Sequence, residues 1–308
     1  MSINISVLGS INLDTSYHLV RIPLPGETLQ IKEKTYAGGG KGANQAVAAQ
    51  RSGANVHFIG AVGNDSAGKY MLNLLKKEKI DLTNVEIKNN EKTGAATILL
   101  DEKGQNSILV YAGANNLISH EQIIKAEKTI AKSDYIIAQF ESPVETTLDA
   151  FKIAKKHGVT TILNPAPALK ISDELLSVTD IITPNETESA IITGIKVDNQ
   201  NAMHETDMYF KEKGVKVTLI TLGSRGVHCS IGSISQLVPA HKVNVVDTTG
   251  AGDTFVGAMA SILKPDFSNI FEAIDYGQKA SSITIEVMGA QPSIPTREMV
   301  EKAYGKEL

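Results

Sequence analysis

The chain has 308 residues, 42% hydrophobic and 21% charged, the make-up of a globular protein with room for one large domain or two small ones. Its 30 basic and 34 acidic residues are well mixed and leave a net charge of −4, which argues against a nucleic-acid or membrane-surface partner. The one cysteine, Cys229, excludes an internal disulfide and suits a reducing cytoplasm, no signal peptide is expected in "MSINISVLGS", and no apolar run nears the roughly 20 residues that span a bilayer.

Along the chain, apolar β-like runs alternate with helical ones. "INISVLG" reads as the first strand, and "KGANQAVAAQRSGA" as an alanine-rich helix closed by Gly53. "NVHFIGAV" is a strand and "SAGKYMLNLLKKEKI" a helix. "SHEQIIKAEKTIAKS" opens on Ser119 with Gln122 three residues on, a capping-box pattern. "DYIIAQF" is a strand, and "VETTLDAFKIAKKHG" a helix with an αL stop at Gly158. "VTTILNPA", "DIITPN" and "KVTLITLG" are further buried strands, "KVNVV" another, and "TFVGAMASIL" a helix. The alternation predicts an α/β fold: a mostly parallel central sheet in three layers, helices on both faces.

Two stretches break the rhythm. "DTSYHLVRIPLPGETLQIKEKTYAGGG" and "TGAATILLDEKGQNSILVYAGA" are strand-like without helices between, the second a hairpin turning at "DEKG". They are expected to form a small separate sheet, the alternative being an excursion of the main one. "AATILL" is apolar at both parities, so both faces are available for covering, one by a ligand and one by a second subunit.

Ligands of such sheets bind beyond the carboxyl ends of the strands. Polar groups recur there: Ser10, Asn12 and Asp14 after "SVLG"; Glu141 after "AQF"; Asn164 after "ILN"; Asn185, Glu186 and Glu188 after "DIITP"; Gly223, Ser224, Arg225 and Gly226 after "LITLG". Any one alone reads as a helix cap. "VVDTTGAGDTF" sets Asp247 and Asp253 around Gly250, Ala251 and Gly252 at a helix start, where free backbone N–H groups favour an anion. In "AGGGKGANQA", glycines permit close backbone approach, and Lys41 and Asn44 share a helix face with donors suited to hydroxyls; the alternative is a glycine turn with a solvated lysine. "GNDSAGKY" nearly fits a P-loop, but Tyr70 stands where a small hydroxyl must reach Mg²⁺. "VLGSINLD" lacks a dinucleotide fingerprint, the histidines lack metal-ligand spacing, and Cys229 reads as a buried structural residue.

In order, "GSINLD", "PLPGET", "GGKGANQAVAAQRSGA", "ESP", "LNPAPA", "TPNETE", "LITLGSRGV", "DTTGAGDTF" and "GAQPS" make the whole chain similar to the ribokinase (phosphofructokinase-B type) sugar-kinase family. The resemblance implies one ribokinase-like domain over 1–308, with a lid formed by about 14–37 and 94–112, and ATP-dependent phosphorylation of the 5-hydroxyl of D-ribose. It implies Asp253 as general base and the backbone of Gly250, Ala251 and Gly252 as anion hole. It places Asn12, Asp14, Gly40, Lys41, Asn44 and Glu141 on the sugar. It places Asn185, Glu188, Thr221, Gly223, Ser224, Arg225, Gly226 and Gln278 towards ATP, with Glu188 acting on Mg²⁺ through water. A K⁺ site is implied at Asp247, Thr249, Thr284, Val287, Gly289 and Ser293, mostly through carbonyls and hydroxyls. A cytoplasmic homodimer paired through the lid sheets is implied too. The alternatives are a kinase for another small sugar, such as 2-deoxyribose, and a catalytically silent sugar-binding relative.

Overall fold

The computed structural model describes residues 2–305; the single-domain reading over 1–308 reaches residues 1 and 306–308, which lie outside them. The strands in chain order are β1 (Asn4–Leu8), β2 (Asn12–His18), β3 (Glu33–Gly39), β4 (Asn55–Gly63), β5 (Asp81–Lys88), β6 (Gly94–Leu100), β7 (Asn106–Tyr111), β8 (Tyr135–Ala138), β9 (Thr160–Leu163), β10 (Ile181–Ile182), β11 (Val217–Thr221), β12 (Val227–Ile231) and β13 (Ile234–Val238). Nine of them form one sheet, in the order β13-β12-β11-β10-β9-β8-β1-β4-β5. Every pairing from β5 to β11 is parallel, and β12 and β13 add an antiparallel margin.

Alternation along apolar strands builds the three layers. Successive side chains point to opposite faces, so Tyr135 and Ile137 enter one core while Ile136 and Ala138 enter the other. Ile162 and Leu163 divide in the same way, as do Ile181 and Ile182. The first core packs against the helices Lys41–Arg51 and Ala251–Ile262, the second against Val144–Lys156 and Gln200–Glu212. No helix among the described residues is long and apolar enough to cross a membrane.

The two β-rich stretches form a sheet of their own, β3-β2-β6-β7, and not an excursion of the main sheet. β6 and β7 are antiparallel around a turn in which the Gly104 N–H donates to the Asp101 carbonyl. This is the lid. Ile98, Leu99 and Leu100 are half-buried, whereas all of β7 is exposed in the single chain, Leu109 by 66% and Val110 by 60%.

Two local expectations need correction. "KVNVV" is not a buried strand: residues 242–246 are irregular, and Val245 and Val246 are 60% and 56% exposed. The N–H groups of Val246 and Asp247 both turn to the carbonyl of Ile285, at the end of the helix Ile270–Thr284, so no strand claims them. The capping box at Ser119 is only half made. Ser119 accepts from the Gln122 N–H, but the Gln122 amide donates to the carbonyls of Gly60 and Asn84. The helix is also broken, into His120–Lys125 and Glu127–Ile130.

Candidate active site

The site forms where the carboxyl ends of β1, β8, β9, β10 and β11 meet the starts of two helices, Lys41–Arg51 and Ala251–Ile262. These helices cross closely at Gly257, where a Cβ would lie 2.3 Å from the Gln45 carbonyl oxygen. The crossing sets Asp253, in the first turn of one helix, against the first turn of the other. The Asn44 amide donates to Asp253 Oδ2 at 2.9 Å, and the Gln45 amide donates to Oδ1, also at 2.9 Å. Burial pushes the Asp253 carboxyl above the usual range; the positive charge of Lys41 and the two amide donors oppose this, and Glu141 adds to it. The Lys41 ammonium is held above its ordinary value, chiefly by Asp253, against the opposing effect of burial.

Gly250 caps this helix in a left-handed conformation, φ +78°, and no side chain caps it. Among the described residues, the N–H groups of Gly250 and Gly252 make no hydrogen bond, and a Cβ at Gly252 would point into open space. Ala251 differs from its two neighbours: its N–H donates to the Thr248 carbonyl at 3.2 Å. The loop therefore offers free donors at Gly250 and Gly252, beside a buried carboxylate.

The other helix start is organised around Glu141. One carboxylate oxygen accepts from the Ser10 hydroxyl at 2.6 Å and from the Lys41 N–H at 3.0 Å. Gly40, at φ +89°, allows the close passage: a Cβ there would meet Asn12 N and the Ser10 carbonyl oxygen at 2.9 Å. Asp14, on β2, lies over Gly39, where a Cβ would run into its carboxylate. Burial first, then the charges of Glu141 and Asp253, push the Asp14 carboxyl up to about 7. Asp14 Oδ1 and Asn44 Oδ1 are buried without partners. Two orphaned acceptors beside a lysine suit a ligand rich in hydroxyl groups.

A cavity of about 200 Å³ is lined by Lys41, Asn185, Glu188, Thr221, Gly250, Gly252 and Asp253, together with Asn164, Thr183 and Thr248. Asn185 and Glu188 form a capping box on the helix Glu186–Thr193, so both side chains also serve as caps. Burial pushes the Glu188 carboxyl up. Gly223, Ser224, Arg225, Gly226 and Gln278 do not line this cavity. Arg225 pairs with Glu186, Gln278 donates to the Pro239 carbonyl, and Gly226 leaves no room for a Cβ beneath the Val238 carbonyl.

The six residues of the candidate cation site come from two segments, which meet through the Asp247 N–H on the Ile285 carbonyl and the Gly289 N–H on Asp247 Oδ2 at 2.8 Å. Asp247 Oδ1 accepts from Thr249 N and Oγ1. Burial raises the Asp247 carboxyl, but these bonds outweigh it and hold it below its ordinary value. The hydroxyls of Thr284 and Ser293 donate to groups within the chain. Among the described residues no backbone donor occupies the carbonyls of Thr249, Val287 and Gly289, which leaves neutral oxygen donors of the kind a hard monovalent cation takes. No group of three or more His, Cys, Asp or Glu is placed to hold a metal among the described residues.

Sequence reasoning gave no role to three buried amides. Gln45 stands beside Asn44 in the same turn. Gln139 donates to Gln45 Oε1, and Asn115 accepts from the Ile11 N–H and donates to Asn12 Oδ1 at 2.8 Å. That bond leaves the Asn12 amide nitrogen free as a donor. The near-P-loop is closed to phosphate, because the Asp65 carboxylate itself caps the helix Ser66–Lys77 and accepts from Gly68 N and Thr93. Cys229 is fully buried, and burial pushes its thiol up to about 12, as for a structural residue.

Residues 2–297 match the pfkB family carbohydrate kinase profile. The chain is 45% identical over 303 residues to a ribokinase of Staphylococcus aureus, covering 98% of this chain and all of that one. It is 48% identical over 297 residues to the bifunctional ribokinase/ribose-5-phosphate isomerase A of Fructilactobacillus sanfranciscensis, covering 96% of this chain but 55% of that longer protein. The solved structure of Arabidopsis thaliana ribokinase complexed with ribose and ATP superposes with a TM-score of 0.90 at 33% identity, covering 98% of each chain. With its two-sheet fold and its buried aspartate beside free loop amides, the chain belongs to the pfkB family of carbohydrate kinases.

Proposed function

We propose that this chain transfers the γ-phosphoryl group of ATP to the 5-hydroxyl of D-ribose, giving D-ribose 5-phosphate and ADP. The observation that carries the mechanism is Asp253: a buried carboxylate in the first turn of an uncapped helix, next to Lys41 and to free N–H groups at Gly250 and Gly252. The hydroxyl oxygen attacks the γ-phosphorus while its proton passes to Asp253, and the bond to the β,γ-bridging oxygen breaks. Such transfers rest mainly on positioning and charge stabilisation. The fixed N–H groups supply that stabilisation without reorganising. Gly250 and Gly252 carry this role; Ala251, bonded to Thr248, contributes mainly by shaping the loop.

In this reading Asn12 donates to the sugar, Asp14 and Asn44 accept from it, Lys41 donates, and Glu141 and Gly40 fix the helix start that presents them. Asn185, Glu188 and Thr221 face the nucleotide phosphates from the cavity. Gly223, Ser224, Arg225, Gly226 and Gln278 serve the nucleotide from farther out. Mg²⁺ would supply charge neutralisation at the ATP phosphates, with Glu188 the residue that would help to hold it. K⁺ would be held by oxygens of Asp247, Thr249, Thr284, Val287, Gly289 and Ser293 and would steady the loop that precedes Gly250. The lid carries Asn12 and Asp14 and keeps water from the phosphoryl group. Its exposed β7 pairs with a second copy, making a homodimer.

The test is a coupled ADP-release assay with Mg-ATP and D-ribose, 2-deoxyribose, fructose or adenosine, with K⁺ or with tetramethylammonium. Strong turnover on ribose that depends on K⁺ is expected. Turnover favouring 2-deoxyribose would keep the mechanism and overturn the substrate. Ribose binding without turnover would favour a silent binder, and turnover indifferent to K⁺ would remove the cation site.

A further inference from the structure

The Asp253 carboxylate does not rest on Asn44 alone. Behind it runs a chain of buried amides whose polarity can be read from one end. The Thr183 carbonyl oxygen can only accept, so the Asn164 NH₂ faces it, at 3.0 Å. Asn164 Oδ1 therefore faces Gln45, which must present its own NH₂. That group spends both N–H bonds, on Asn164 Oδ1 at 3.1 Å and on Asp253 Oδ1 at 2.9 Å. Gln45 Oε1 is left to accept from the Gln139 amide at 2.5 Å. Gln45 and Gln139 are both fully buried. Gln45 cannot turn over without breaking its bonds to Asn164, Asp253 and Gln139, and a proton on Asp253 Oδ1 would confront an N–H. The other oxygen is different: its partner Asn44 has a buried Oδ1 with no bond at all, so nothing fixes that amide from behind.

From this geometry we infer that Gln45, anchored by Asn164 and Gln139, is a positioning residue that locks Asp253 Oδ1 as an acceptor and directs the substrate proton to Oδ2. The inference rests on the kinase reading above and goes beyond it, because it assigns the proton to one atom of the base and gives Gln45 a role without substrate contact. The other groups that face Asp253 are Lys41 on the helix of Gln45, Glu141 after β8, Asp14 on β2 and Glu188 on the helix Glu186–Thr193. They stay in place when Gln45 is changed, so a change in titration reports on the lost donor.

The experiment is the pH profile of turnover for Gln45→Met, which keeps length and volume but has no donor. With the N–H gone, the ionised carboxylate loses a partner. The acid limb of kcat/KM for ribose is expected to move up by about one pH unit, so that turnover below the limb falls about tenfold more than turnover above it. Ribose affinity at pH 8, read by calorimetry, is expected to stay within about twofold. Gln139→Met, which touches Gln45 and not Asp253, is expected to move the limb in the same direction by less, and it carries the test if Gln45→Met fails to fold. A limb that stays in place, or a loss equal at every pH, overturns the inference. An active wild type with an unmoved limb overturns it alone, whereas an inactive wild type overturns the kinase reading and this inference together.

Discussion

Gly257→Ala tests whether the helix crossing sets the geometry of Asp253, the proposed base. The added Cβ would lie 2.3 Å from the Gln45 carbonyl oxygen, 2.8 Å from Ala48 Cβ and 2.9 Å from Ala49 N, where ordinary contact begins near 3.4 Å. Backbone atoms cannot swing aside, so the helices must part locally by about 1 Å. The bonds from Asn44 and Gln45 to Asp253, 2.9 Å each, would then stretch to about 3.9 Å, past hydrogen-bond range. Overpacking of this kind costs about 1–3 kcal/mol. For 308 residues the unfolding entropy is about 0.65 kcal/mol/K, so the melting temperature should fall by roughly 2–5 °C. Turnover should fall far more, on the order of 10²-fold, because a 1 Å misplacement at a reacting centre costs that much. Gly277→Ala is the control. Its Cβ would press on Phe255 and Met259 from the opposite side of the same helix, at 2.9–3.0 Å, without touching the helix of Asn44 and Gln45. It should match the loss of stability but keep turnover within a few fold. Scanning calorimetry and steady-state kinetics on both variants decide the matter. Wild-type turnover in Gly257→Ala, or equal losses of turnover in the two, would refute the reasoning.

Asp253→Asn should fold and bind ribose yet lose on the order of 10²–10⁴ in turnover, the usual share of a positioned base; comparable turnover in a folded variant would overturn the assignment. Asp14 gives a stability test with a definite sign. Its folded carboxyl titrates at about 7 against 3.8 for an ordinary aspartate, so between those values the native state binds more protons than the unfolded one, and stability falls as pH rises through that window. Asp14→Asn removes this slope, so it should melt a few degrees higher than wild type at pH 8, with no such gain at pH 4, and should bind ribose more weakly; an unchanged difference across the window, read by melting curves, would count against the burial of this charge. Leu109→Glu, on exposed β7, should yield a species of 32.9 kDa by light scattering where the wild type runs as a dimer, and a monomeric wild type at micromolar concentration would remove the lid-paired assembly.

Most of the layer architecture was legible because strands buried on both faces, such as "YIIA" and "TTIL", can hardly do anything else. The loop around Gly250 was legible because its glycines and aspartates are adjacent in sequence. "KVNVV" misled for a physical reason: β-branched residues favour a strand only where a neighbouring strand takes their N–H groups, and here the segment pairs with no strand and its last N–H, from Val246, goes to the end of a helix. Gly38 had no visible purpose in the sequence, yet a Cβ there would collide with the Gln291 side chain from the far end of the chain. Gln45 and Asn115 were missed because their partners lie 208 and 103 residues away, and no local pattern marks an amide that bonds at such range.

The helix crossing has a consequence for biosynthesis. Ala46, Val47 and Ala49, on the helix Lys41–Arg51, share a core with Phe255, Val256 and Met259, and the bond from Asn44 to Asp253 spans 209 residues. On the ribosome the first helix emerges with its apolar stripe uncovered and waits for its partner to be made. At about 5–20 residues per second, the roughly 200 intervening residues leave that stripe open for on the order of 10–40 s. The nascent chain therefore passes through a long interval in which a small-residue, sticky face is available to chaperones or to other chains, and the bonds to Asp253, the proposed base, wait until the helix Ala251–Ile262 has been made.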